Sequence, residues 1–236
     1  MAESIGSVIA EMLERYRPPL MSDEELAKHE LELRREVRRD RLRASGIARH
    51  LADGDEAMIL NGAAATTDAL RLVRAWVAAY EHINGSPWLW LGGPVGVGKT
   101  LAAAHAIAEW GGRYVSFLGV LRMHADRERH VRGSLAAWDR LGGQHLVVMD
   151  EVGLEEDSQA PRARVALHEF VEMRRKRSTP TIALTNQPGA VIRARFAADH
   201  YDKRTASRLG QVLFKSPAGL GLWDVGGTDL RGGGVL

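Results

Sequence analysis

Apolar positions change their period several times along the chain, and each change marks an element. Ile5, Val8, Ile9, Met12 and Leu13 recur at helical spacing, which predicts a short amphipathic helix over residues 4 to 16. Pro18-Pro19 stops it. Ser22 followed by Glu25 is a capping box for a second helix, about Asp23 to Arg43. Its apolar stripe is thin (Leu26, Leu33, Val37), so it must pack on a partner or on the main domain. A loop-like region follows. A third helix spans about Thr67 to Ile83, with apolar residues at 69, 70, 73, 76, 77 and 80, and Asn84-Gly85 closes it. Trp76 falls on its core face.

From residue 87 the pattern switches to short apolar runs separated by helical stretches. Strands are predicted at Pro87 to Leu91, Tyr114 to Phe117, His145 to Met149, Thr181 to Leu184 and Val212 to Phe214. Helical stretches are predicted at Leu101 to Glu109, Leu118 to Leu141 and Pro161 to Arg177, with short helices between 189 and 209. From Ser216 the chain is glycine-rich and is expected to lie loosely over the surface. His145 to Met149 is nearly all apolar, as a parallel strand buried on both faces must be. Strands alternating with helices imply an α/β fold with a parallel sheet and helices on both faces. Ligands of such sheets bind at the carboxyl ends of the strands. Three stretches should converge there: Gly93 to Thr100, Asp150-Glu151 and Asn186.

The first of these is a complete G-x-x-x-x-G-K-T loop between a strand and an alanine-rich helix. A triphosphate needs many donors at close range and no bulky Cβ in the way. Glycines at 93, 96 and 98, with Pro94, Val95 and Val97 between them, let backbone N–H groups turn inward as an anion nest. The helix that begins near Lys99 points its positive end at the phosphates. Lys99 is expected to reach the β- and γ-phosphates, and the Thr100 hydroxyl to ligate Mg²⁺. Fifty residues on, an apolar strand ends in Asp150 and Glu151. Asp150 is expected in the Mg²⁺ shell, and Glu151 to polarise the attacking water. Asn186 is placed to orient that water or to sense the γ-phosphate; otherwise it is a turn residue. Arg204 and Arg208 are candidate arginine fingers, with Arg208 preferred. A finger acts on a neighbour's ATP and so implies an oligomer.

Composition narrows the setting. With 45% apolar and 26% charged residues, the 236-residue chain has the make-up of a globular protein. No stretch approaches a membrane span, and the N-terminus lacks a basic-then-apolar export signal. The absence of cysteine removes disulfides, thiolate metal sites and cysteine nucleophiles, and fits a cytoplasmic protein. The formal net charge is only +2, yet arginines cluster at 34-35, 38-39, 41 and 43, and again at Arg174-Arg175-Lys176-Arg177. Such clusters suit phosphate backbones; interleaved acids make a solvated helix face the alternative.

Gly-Pro-Val-Gly-Val-Gly-Lys-Thr, Val-Met-Asp-Glu-Val-Gly, Leu-Thr-Asn-Gln-Pro and Ala-Ser-Arg-Leu stand in the order and spacing of an AAA+ ATPase. More narrowly, the chain resembles the DnaC-type replicative helicase loaders and their relatives, the IstB-type transposition ATPases. Arg43 to Ile47 resembles the "SGI" segment of that group, and Gly226 to Arg231 its terminal glycine-to-arginine motif. The resemblance covers about residues 43 to 231. It implies a five-stranded sheet in the order 5-1-4-3-2 without a lid domain. It implies ATP and Mg²⁺ as cofactors, Asp150-Glu151 as the Walker B pair, Asn186 as first sensor, Arg208 as finger and Arg231 as a second sensor. It also implies side-by-side assembly on single-stranded DNA and contact with the ring helicase through the N-terminal segment. Arg122, Arg127, Arg129 and Arg132 fall in the helical element that would line the DNA path. The expected division is an N-terminal interaction segment (1–45), a linker and helix (46–86), the ATPase core (87–215) and a tail (216–236). Rival readings are a transposition helper acting on duplex DNA, a small-molecule P-loop kinase, and a nucleotide-gated binding module with almost no turnover.

Overall fold

The structure is a computed structural model and describes residues 5–16, 22–48, 51, 67–80, 88–153, 160–188, 191 and 222–224. In chain order the elements are α1 (Ile5–Tyr16), α2 (Asp23–Ser45), α3 (Asp68–Tyr80), β1 (Trp88–Gly92), α4 (Lys99–Trp110) and β2 (Arg113–Ser116). They continue with α5 (Phe117–Glu128), α6 (Ser134–Gly142), β3 (Val147–Asp150), α7 (Ala160–Lys176), β4 (Thr181–Thr185) and β5 (Leu222–Asp224). All strand pairings are parallel, in the order β2-β3-β4-β1-β5.

The expected run of strands 1-4-3-2 is present. The fifth strand is a correction. The edge beside β1 is occupied by Leu222–Asp224, with Leu91 opposite Trp223, whereas residues 212–214 lie outside the described residues. Leu222 and Trp223 are only two apolar residues followed by Asp224, a weaker strand signal than Val212 to Phe214. Glycines around 222–224 masked the signal. The short helices expected at 189–209, and the question of a lid, also fall largely outside the described residues.

Successive strand residues point to opposite faces. Leu89, Leu91, Val148, Ile182 and Leu184 pack under α3, α4 and the end of α2. Trp88, Trp90, Val147, Met149 and Ala183 pack under α5, α6 and α7. This is why the strands read as unbroken apolar runs. Trp76 of α3 is fully buried, with its ring centroid 5.4 Å from that of Trp110.

Helix α2 starts as its capping box dictates. Ser22 N donates to Glu25 Oε2 at 2.9 Å, and Glu25 N donates back to Ser22 Oγ. It ends at Gly46, which takes the left-handed conformation (φ 85°). Its foot packs on the core through Leu42 and Ile47. Arg38 pairs with Glu109 of α4, and Arg41 donates to the carbonyls of Ala108 and Glu109. Arg34 pairs with Glu30 one turn away. At least these three arginines of the first basic cluster are engaged within the chain.

The second cluster is corrected more sharply. Arg174 is fully buried. Its Nε donates to Thr181 Oγ1 at 3.1 Å and its Nη1 to the Gly142 carbonyl at 3.1 Å. Further bonds reach the carbonyls of Gln144 and Pro180. Arg175 pairs with Glu172, and Arg177 donates to the Asp139 carbonyl. Arg174 and Arg177 stitch α7 to α6 and β4, while Arg175 is paired within α7, so the run is not four free cations facing a phosphate backbone.

Two histidines make the fold acid-sensitive. Burial lowers the His105 pKa, opposed by Glu109 and furthered by Arg74 and Arg38. Burial likewise lowers that of His145, opposed by its bond to the Trp110 carbonyl and furthered by Arg41 and Arg174. Between the ordinary value of 6.5 and the lowered folded values, the unfolded chain binds more protons. Stability is therefore intact above that value and falls as pH drops below it. Urea midpoints measured from pH 7.5 to 5 should show this slope, and His105→Asn should flatten it.

Candidate functional site

The loop from Gly93 to Gly98 joins β1 to α4. Gly96 and Gly98 have φ of 92° and 86°, values a side chain resists, and Gly98 is the N-cap of α4. No side chain caps that helix, so its first N–H groups face the mouth of the loop. Val97 is buried and anchors the loop to the core, while Pro94 and Val95 are exposed. Lys99, on the first turn, is only 5% exposed. Its Nζ donates to the carbonyls of Gly93 (2.8 Å) and Pro94 (2.7 Å), which holds the ammonium in the loop.

Sheet order brings the other stretches beside it. Gly92 and Thr185 are register partners, so Asn186, one residue on, stands level with Gly93. Asn186 is exposed, and Thr185 Oγ1 accepts from Gln187 N at 3.1 Å, tightening that turn. Val152 N donates to the Leu184 carbonyl at 3.0 Å, which folds the chain after β3 back over β4. Asp150 closes β3 and lies across from the loop: Thr100 Oγ1 is 3.5 Å from Asp150 Oδ2. Glu151 is exposed and has a left-handed backbone (φ 62°). That conformation costs a non-glycine residue about 1 to 3 kcal/mol and concentrates at functional turns. Glu151 N donates to Asp150 Oδ1 at 2.7 Å, which holds the turn.

One residue at the site has no signal in the sequence. The Tyr114 hydroxyl, from β2, donates to Asp150 Oδ2. Burial, and then the bond to Asp150, push the phenol well above its ordinary range, so it remains a donor. Its recognition requires knowing that β2 pairs with β3, which local sequence does not reveal.

Lys99, Thr100, Asp150, Glu151 and Asn186 are thus gathered at one end of the sheet. Arg204, Arg208 and Arg231 lie outside the described residues. Of the four arginines expected on the DNA path, Arg122, Arg129 and Arg132 are exposed. Arg127 is different. It pairs with Glu128 at 2.7 Å and with Glu169 of α7, and its guanidinium lies 5.2 Å from the Trp138 ring centre. It clamps α5 to α6 and α7, because the period that buries Phe117, Val120 and His124 also turns residue 127 inward.

No group of three or more His, Cys, Asp or Glu suited to a metal ion occurs among the described residues. A Thr hydroxyl beside one carboxylate is instead the sparse oxygen set with which Mg²⁺ is held alongside phosphates and water. No helix among the described residues is long and apolar enough to cross a membrane.

A parallel sheet whose first strand runs through a glycine loop into a lysine- and threonine-led helix defines a P-loop nucleotide-binding protein. Residues 89–209 match the model of the ATPase family associated with various cellular activities (AAA), and the chain belongs to that family. The family is one of nucleotide-hydrolysing ATPases. Among solved structures the fold is similar to a primosome component from Streptococcus pyogenes serotype M3. The TM-score is 0.52 at 16% identity, covering 75% of this chain and 92% of that one. DnaI (TM-score 0.49, 19% identity, 82% and 93% covered) and the DnaC helicase loader (0.46, 20%, 62% and 88%) also match. No curated protein sequence matches the chain.

Proposed function

We propose that this AAA ATPase is an accessory of DNA replication that binds single-stranded DNA and loads the replicative ring helicase, hydrolysing ATP to ADP and phosphate. The observation that carries the ATPase part is the meeting of Lys99, Thr100, Asp150 and Glu151 at the strand ends. In this reading the loop amides and Lys99 bind the phosphates. Thr100 and Asp150 hold Mg²⁺, which supplies charge neutralisation when bound. Glu151 takes the proton of the attacking water, and Asn186 orients that water. Arg208 reaches a neighbouring subunit's nucleotide, and Arg231 acts as a second sensor.

The loader part rests on the motif set from Arg43 to Arg231 and on the tip between α5 and α6. There Arg129 and Arg132 stand beside exposed Val131 and Leu135. Cations for phosphates beside apolar surface for bases suit a single strand. Arg122 extends that surface along α5. The N-terminal segment, residues 1–45, contacts the helicase, and the protein works in the cytoplasm as an oligomer.

ATP turnover with and without DNA, across a salt series, tests this. Single strands should stimulate hydrolysis, and the effect should fade with salt. Stimulation by duplex alone would identify a transposition helper, and indifference to both would remove DNA from the reading. Glu151→Gln should leave ATP binding intact and lower turnover by roughly 10²- to 10⁴-fold, the range for a lost general base.

A further inference from the structure

We propose that Tyr114 is a positioning residue for the metal side of the nucleotide site, fixing Asp150 in the orientation that a nucleotide-bound divalent cation requires. The inference rests on the P-loop reading above.

Asp150 ends a strand, and its carboxylate plane would be free to turn unless something held it. Two bonds hold it from different sides. Oδ1 accepts the Glu151 N–H at 2.7 Å. Oδ2 accepts the Tyr114 hydroxyl, and the Thr100 hydroxyl lies 3.5 Å from the same oxygen. The first bond comes from the turn carrying Glu151, the second from the neighbouring strand, so together they set both position and tilt.

Register explains how a residue on β2 reaches that point. Tyr114 is paired with Val148, while Asp150 is paired with Ser116. A long side chain leaning along β2 spans the two-residue diagonal. The Tyr114 ring packs against the cluster under α4. A phenylalanine ring would satisfy that packing, so what the hydroxyl adds is its bond to Asp150 and its contact with the Thr100 side chain, both on the metal side of the site. Partners that orient a metal-ligating group from behind are worth roughly 10- to 100-fold in metal affinity.

The test uses the full chain with a fluorescent ATP analogue and Mn²⁺ followed by electron paramagnetic resonance. Tyr114→Phe should bind the analogue like the wild type in EDTA. Its Mn²⁺ half-saturation concentration with nucleotide present should rise roughly tenfold or more. In an Asp150→Asn background the same substitution should change the Mn²⁺ titration much less than in the wild type, because the main group it positions is no longer a carboxylate and only the contact with Thr100 remains. A metal-dependent wild type matched by the Phe variant overturns this inference alone. A wild type whose nucleotide binding ignores metal overturns the P-loop reading and the inference with it.

Discussion

Lys99→Ala should abolish nucleotide binding at micromolar concentrations while the chain stays folded. The loop can offer N–H dipoles to phosphates, but Lys99 is the cation seated within it, and it is almost wholly buried. Its ammonium is held by two loop carbonyls at 2.7 and 2.8 Å, from which phosphate oxygens can compete for it. A hydrogen bond to a charged group is worth about 1.5 to 3 kcal/mol. Two such bonds amount to roughly 3 to 6 kcal/mol, or about 10²- to 10⁴-fold in Kd. Lys99→Arg should fail nearly as badly, because a planar fork cannot occupy the place of a compact ammonium between two carbonyls. Titration with a fluorescent ATP analogue, beside a thermal melt, reads both effects. Nucleotide binding that survives Lys99→Ala would remove the loop from the site.

Arg174→Met should strongly destabilise the fold. The sequence places Arg174 in a run of four basic residues, yet its guanidinium is buried and shared among Thr181 and the carbonyls of Gly142, Gln144 and Pro180. Methionine fills much of the volume but donates nothing. A buried acceptor left without a partner costs about 1 to 3 kcal/mol. Partial relaxation of the four gives an expected loss of roughly 3 to 5 kcal/mol, a large share of the about 5 to 15 kcal/mol by which domains are stable. Arg177→Ala, three residues on and more exposed, should cost under about 1 kcal/mol. Urea unfolding of the two variants measures the contrast; equal midpoints would show that Arg174 is replaceable.

Much of the site is legible because its parts are local. The glycine loop, Lys99 and Thr100 are contiguous, and Asp150-Glu151 ends an apolar run, so each announces itself without knowledge of the fold. Tyr114 and the short edge strand at 222–224 are not legible, because both depend on which strands pair. Arg127 and Arg174 sit between these cases. Each continues an inward helical period: Phe117, Val120 and His124 lead to Arg127, and Leu167, Phe170 and Val171 lead to Arg174. Charge says surface and period says inward: buried acceptors hold Arg174 in the core, and the Glu169 carboxylate holds the partly exposed Arg127 at its rim.

Strand β2 passes into helix α5 with no intervening residue: Ser116 ends one and caps the other, accepting from Gly119 N at 3.1 Å. With no slack at that joint, the direction of α5 is set at its start by β2 and along its length by the Arg127 contacts to Glu169 and Trp138. Its 12 residues make an arm about 18 Å long. By lever geometry, a difference of only about five degrees in the angle at which α5 leaves Ser116 displaces its far end, with Arg129, by roughly 1.5 Å, so this joint fixes where that arginine stands.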